Sequence, residues 1–176
     1  MAGFIGPENS PGTTAIPRLV YRLTRGGELS RAKQADNQFE KGYTCAPSVL
    51  SAYSEQFGLE KELALKIACG FGGGIGRTGR TCGAVTGAVM VIGLKHGQAD
   101  VNDEESRLET HKLVKEFIDK FEAVHGSVEC RELIGYDLSN AAELETARAD
   151  DARERKCRGF VHDAAVILED VLDLGS

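Results

Sequence analysis

Residues 69–97 read Cys-Gly-Phe-Gly-Gly-Gly-Ile-Gly-Arg-Thr-Gly-Arg-Thr-Cys-Gly-Ala-Val-Thr-Gly-Ala-Val-Met-Val-Ile-Gly-Leu-Lys-His-Gly. A glycine-dense loop runs here into a helix of small residues. Gly72, Gly73, Gly74 and Gly76 open the loop to left-handed backbone and to close approach, at an entropic cost an ordinary connector has no reason to bear. The loop is therefore expected to be shaped around something, and these four glycines, with Thr81 and Gly83, are candidate cofactor-binding positions. Thr81 is expected to cap the following helix and Cys82 to lie in its first turn, where unpaired N–H groups and the dipole favour a thiolate. Gly83 and Gly87, four apart, flatten one helix face so that another helix can approach.

Outward from this stretch, the periodicity is helical throughout. A helix is expected at residues 30–41 and another after Thr44, with Cys45 in its first turn, Pro47 tolerated so early, and Val49, Leu50 and Tyr53 on its apolar stripe. Residues 60–71 form the next, with Leu63, Leu65, Ile67 and Ala68 apolar and Cys69 at its end as a packing residue. A long amphipathic helix follows a cap at Asn102 or Asp103, burying Leu108, Leu113, Val114, Phe117, Ile118 and Phe121, and ends at Gly126. Cys130 lies in a short turn. Residues 140–149 form a polar helix, and residues 150–174 a final one with Cys157, Val161, Ala164, Leu168 and Val171 facing inward. No segment alternates with period two, so the fold class is all-α: a single-domain helical bundle with the glycine-rich loop between two central helices. Residues 1–28 read as an N-terminal arm with a short helix at 15–24, and residues 29–176 as the helical cysteine-motif domain.

The 176 residues suit one domain with a mostly aliphatic core, since Trp is absent and aromatics make up 6%. A formal charge of −6, with Lys and Arg interspersed among Asp and Glu, argues against nucleic acid. The N-terminus lacks a basic start followed by an apolar run, and no apolar stretch reaches the roughly 18 residues of a membrane span, so the expectation is a soluble, cytoplasmic protein. In that compartment the five cysteines point to metal binding, thiol redox chemistry or plain burial rather than a disulfide framework.

Gly74-Ile75-Gly76-Arg77-Thr78-Gly79 matches G-x-G-x-x-G, but a helix precedes it and Lys95-His96 stands where the ribose-binding acid belongs, so no dinucleotide is expected. No C-x-x-C-H is present, hence no covalent c-type haem, and no C-x-x-C writes a local zinc or thioredoxin-like site. The four histidines lack metal-pair spacing and are expected to be solvated. What remains is one thiol from each of four elements: Cys45, Cys82, Cys130 and Cys157.

The segments Gly42-Tyr43-Thr44-Cys45-Ala46-Pro47, Gly72-Gly73-Gly74-Ile75-Gly76-Arg77 and Thr81-Cys82-Gly83-Ala84-Val85-Thr86-Gly87, followed by Cys130 and Cys157, resemble the C_GCAxxG_C_C family of redox-active proteins. The family label writes Gly before Cys in its central motif, whereas this chain places Gly83 after Cys82. The resemblance implies a catalytic or metal-binding role for Cys45, Cys82, Cys130 and Cys157 together, as ligands of an iron–sulfur cluster or other metal ion or as a dithiol/disulfide couple, with a redox partner of unstated identity. A non-enzymatic helical binding or assembly module with core cysteines stands beside it, because the Gly83/Gly87 face would equally pack a second subunit in a homo-oligomer.

Overall fold

The computed structural model describes residues 30–174; the arm at residues 1–28, including the helix expected at 15–24, lies outside them. Among the described residues the fold is all-α, with α1 (Arg31–Glu40), α2 (Cys45–Tyr53), α3 (Lys61–Ala68), α4 (Gly83–His96), α5 (Glu104–His125), α6 (Cys130–Ile134), α7 (Ala141–Ala149) and α8 (Arg158–Val171). No helix among them is long and apolar enough to cross a membrane.

Local chemistry sets most boundaries. The Ser30 hydroxyl accepts from the Lys33 amide at 3.2 Å to open α1, and the Asp103 carboxylate accepts from the Ser106 amide at 3.0 Å to open α5. A 3₁₀ turn, Ser54–Phe57, extends α2 and closes on left-handed Gly58, and left-handed Gly126 closes α5.

Helix α2 is the hub. All its residues are buried, as expected of a helix without a charged face, and it touches α1, α3, α4 and α8. Its Tyr53 hydroxyl donates to the Ala165 carbonyl at 2.8 Å, fixing it to α8. Helix α4 lies against α2 with no room between them. A Cβ at Gly87 would sit 2.9 Å from the Ala46 carbonyl oxygen and 3.1 Å from the Val49 Cβ. The small-residue face is thus filled by the chain's own α2.

Three apolar positions differ from expectation. Leu63 and Ile67 are 46% and 49% exposed, and Leu108 is 54% exposed. Helix α3 instead buries Ala64 and Ala68, because its close approach to α2 leaves space only for methyl groups. Two histidines also depart from the solvated reading: His125 packs against Phe121 and Phe160 and pairs with Asp163, while His162 Nδ1 lies 3.0 Å from Oδ2 of buried Asp36, joining α8 to α1.

Two outcomes test this packing. Helix propensity alone favours Ala over Gly by about 1 kcal/mol, and Gly93→Ala, where nothing lies within 4 Å of the new methyl, should gain stability in urea unfolding. Gly87→Ala should lose it, because the methyl meets the α2 backbone, and overpacking costs about 1–3 kcal/mol. The Asp36 carboxylate raises the His162 pKa, assisted by Asp163 and Glu169 and opposed by burial. The pair's contribution is therefore complete below the unfolded histidine's pKa, near 6.5, and is lost as pH rises through the higher folded value. The stability difference between wild type and His162→Gln, followed against pH, should shrink across that window.

Candidate functional site

Two backbone devices bring the cysteines together. The first is the meeting of α2 and α4 at their N-termini. Cys45 is the first residue of α2, and a Cβ at Gly83, the first residue of α4, would lie 3.1 Å from the Cys45 Cβ and 3.0 Å from the Phe71 carbonyl oxygen. The second is a short antiparallel contact centred on Thr81 and Glu129. The Cys82 amide donates to the Val128 carbonyl and the Cys130 amide to the Arg80 carbonyl, both at 2.8 Å. That register sets Cys82 and Cys130 diagonally on one face of the pairing.

The glycine loop wraps this contact. Gly73, Gly74, Ile75, Gly76 and Arg77 form an unbroken left-handed run, with φ of 67°, 68°, 57°, 60° and 65°. Such backbone is costly for the non-glycine members. Gly74 is pressed so closely that a Cβ there would sit 2.5 Å from the Arg80 carbonyl oxygen and 2.6 Å from the Cys130 Cβ, and a Cβ at Gly72 would meet the Thr44 hydroxyl at 2.6 Å. Arg131 holds the loop to α6, donating to the Thr78 carbonyl at 2.7 Å.

Cys157 arrives from a different kind of element. The expected continuous helix over 150–174 is broken: Asp151 is left-handed, at φ 51°, and Arg153–Cys157 form a π-helical turn before α8. A π turn inserts one residue and re-aims the side chains after it, and such turns occur frequently at functional sites. It leaves Cys157 half-buried, near buried Cys45.

The neighbouring Cys45 and Cys157 thiols are shifted in opposite directions. Cys157 is lowered, first by the hydrogen bond from Cys45 and then, against its burial, by the Arg153 guanidinium. Cys45 is raised by the same hydrogen bond, by burial, and by the charges Cys157, Cys82 and Cys130 would carry. Burial pushes Cys82 up to about 11, although the Ala84 and Val85 amides favour its thiolate. Cys130 is pushed up to about 12, by burial first and then by the potential charges on Cys82 and Cys157. Each of the four thiols thus feels at least one of the others, and Cys69 is not among the groups acting on them.

Several expectations change. Thr81 does not cap α4; its place is in the pairing with Glu129, and Cys82 itself occupies the cap position. Desolvation of Cys82 outweighs the helix-start amides, so the expected depression of its pKa becomes an elevation. Cys69, expected as a packing residue, is exposed at the start of a 3₁₀ turn, Cys69–Phe71. Among the described residues no group of three or more His, Cys, Asp or Glu is placed to hold a metal ion. Arg153 is a site residue the sequence reading passed over; its one signal was its place four residues before Cys157 in a charged run.

The family described as "Putative redox-active protein (C_GCAxxG_C_C)" matches residues 43–171, and the chain belongs to that family. The matched span begins two residues before Cys45, ends with α8 and includes all five cysteines. No curated protein and no solved structure matches the chain.

These environments reverse the reactivity order that helix position alone predicts. In the reduced protein near neutral pH, iodoacetamide should label exposed Cys69 first and Cys157 next, with buried Cys45, Cys82 and Cys130 slowest, read by peptide mass spectrometry after timed quenching. Labelling of Cys82 ahead of Cys69 would restore the helix-start argument.

Proposed function

We propose that the protein is a cytoplasmic thiol–disulfide oxidoreductase whose working couple is Cys45 and Cys157. What supports this reading is placement: half-buried Cys157 ends the turn that Arg153 ties to the segment leading into buried Cys45, and the two thiols are shifted in opposite directions, Cys157 lowered and Cys45 raised. A nucleophile that a partner can reach, backed by a buried resolving thiol, is the arrangement exchange requires.

In the reducing direction, the Cys157 thiolate attacks one sulfur of a partner disulfide R–S–S–R′. A Cys157–S–S–R bond forms and R′–S⁻ leaves, taking a proton from solvent. Cys157 then carries no negative charge, which removes the largest cause holding the Cys45 proton. Cys45 attacks the Cys157 sulfur as its proton passes to the departing sulfur, closing the Cys45–Cys157 disulfide and releasing R–SH. Two electrons pass from the protein dithiol to the partner disulfide, and the reverse sequence oxidises a partner dithiol. Cys82 and Cys130, kept protonated by burial, stay outside this exchange.

Equilibration of the whole reduced chain with oxidised glutathione, followed by acid quenching and peptide mapping, tests the reading. The expected product is a Cys45–Cys157 linkage, lost in Cys157→Ser. A different dominant pair would overturn it. So would stoichiometric iron, sulfide or zinc protecting all four thiols after anaerobic purification.

A further inference from the structure

Arg153 begins the π-helical turn that Cys157 ends, and its guanidinium reaches the segment leading into Cys45. Its Cζ lies 3.9 Å from the centroid of the buried Phe39 ring. One terminal nitrogen, Nη2, donates to the Phe39 carbonyl at 2.5 Å and to the Tyr43 carbonyl at 3.2 Å, while Nη1 pairs with Glu154. Phe39 is in the last turn of α1, and Tyr43 is two residues before Cys45. Between them Gly42, at φ 103°, reverses the chain. Arg153 therefore satisfies a carbonyl at the end of α1 and gathers the connector that delivers Cys45. The planar guanidinium can lie on the ring while donating in its own plane to both carbonyls, and an ammonium cannot reproduce that combination.

We propose that Arg153 is the positioning residue of the thiol pair: it ties the backbone leading into Cys45 to the turn carrying Cys157 and so holds the two sulfurs at bonding reach. The proposal rests on the thiol-pair function above and adds the group that sets the effective concentration of one thiol for the other. Each sulfur comes from a separate segment, and no other side chain of the π turn contacts the α1–α2 connector through hydrogen bonds to its backbone. The guanidinium also lowers Cys157, which gives charge and clamping different experimental signatures. Removing charge alone destabilises the thiolate of the reduced form and favours the disulfide. Loosening the clamp disfavours the disulfide.

The test is the equilibrium between the Cys45–Cys157 disulfide and glutathione, measured on the whole chain for wild type and Arg153→Lys across a series of redox buffers. Lysine keeps the charge and loses the planar contact. The expected result is a fall of about ten-fold in the equilibrium constant, equivalent to about 30 mV for a two-electron couple. A wild-type constant in Arg153→Lys assigns the residue to charge alone and overturns the proposal, as does a rise. Phe39→Leu, which removes the ring beneath the guanidinium, is the second probe and should fall in the same direction, with circular dichroism checking that each variant folds. If wild type forms no Cys45–Cys157 disulfide, the thiol-pair function fails and the positioning role falls with it. If wild type forms it and neither variant shifts, only the positioning role fails.

Discussion

Helix α4 can lie on α2 only because residues 83 and 87 have no side chains. At Gly87 an added methyl would meet the Ala46 carbonyl, and at Gly83 it would meet the Ala46 amide and the Cys45 side chain. This contact brings the N-termini of two buried helices together, and with them Cys45 and Cys82. Because α2 is buried at every position, it has no freedom to tilt away, so the approach is fixed by close packing on all sides. The glycine loop follows from the same constraint. The chain must pass from the end of α3 to the start of α4 through a space lined by Thr44, Arg80 and Cys130, and a left-handed run of mostly glycine is the compact way to do so.

Burial then decides the chemistry of each thiol. A helix start offers a thiolate two or three amides, worth of order 1 kcal/mol near a surface, while full burial acts against the charge by more than that. Cys82 and Cys130 are on the losing side and stay protonated. Cys157 escapes because it is only partly buried and has two favourable neighbours, the Cys45 thiol and the Arg153 guanidinium. The lowering of Cys157 and the raising of Cys45 share a cause, since each thiol is the first influence on the other.

Among the described residues, three of the four non-glycine residues with left-handed backbone lie in the glycine loop or just before the π turn, the fourth being Asp173. Ile75 and Arg77 hold left-handed backbone in the loop, and Asp151 does so just before the π turn. Neither segment is free to relax, since Arg131 ties the loop to α6 and Arg153 ties the π turn to the connector before α2. Irregular backbone held in this way by arginines around a set of thiols is consistent with a site whose geometry matters more than its local stability.

Most of the helices, the α5 cap at Asn102 or Asp103 and the stop at Gly126 were legible in the sequence, because each depends on residues within one turn of chain. The order and spacing of Cys45, Cys82, Cys130 and Cys157 were legible as a family pattern. The exposure of Leu63, Ile67 and Leu108 was not, because an apolar stripe states only that a face is suited to burial, and whether a neighbour covers it is decided by distant elements. The elevation of Cys82 was hidden for the same reason: helix position is local, and desolvation is not. The π turn and the reach of Arg153 from that turn to the end of α1 belong wholly to the tertiary structure, since a single inserted residue leaves the 3.6-residue periodicity intact on either side and the arginine's partner carbonyls, at Phe39 and Tyr43, lie more than a hundred residues earlier in the chain.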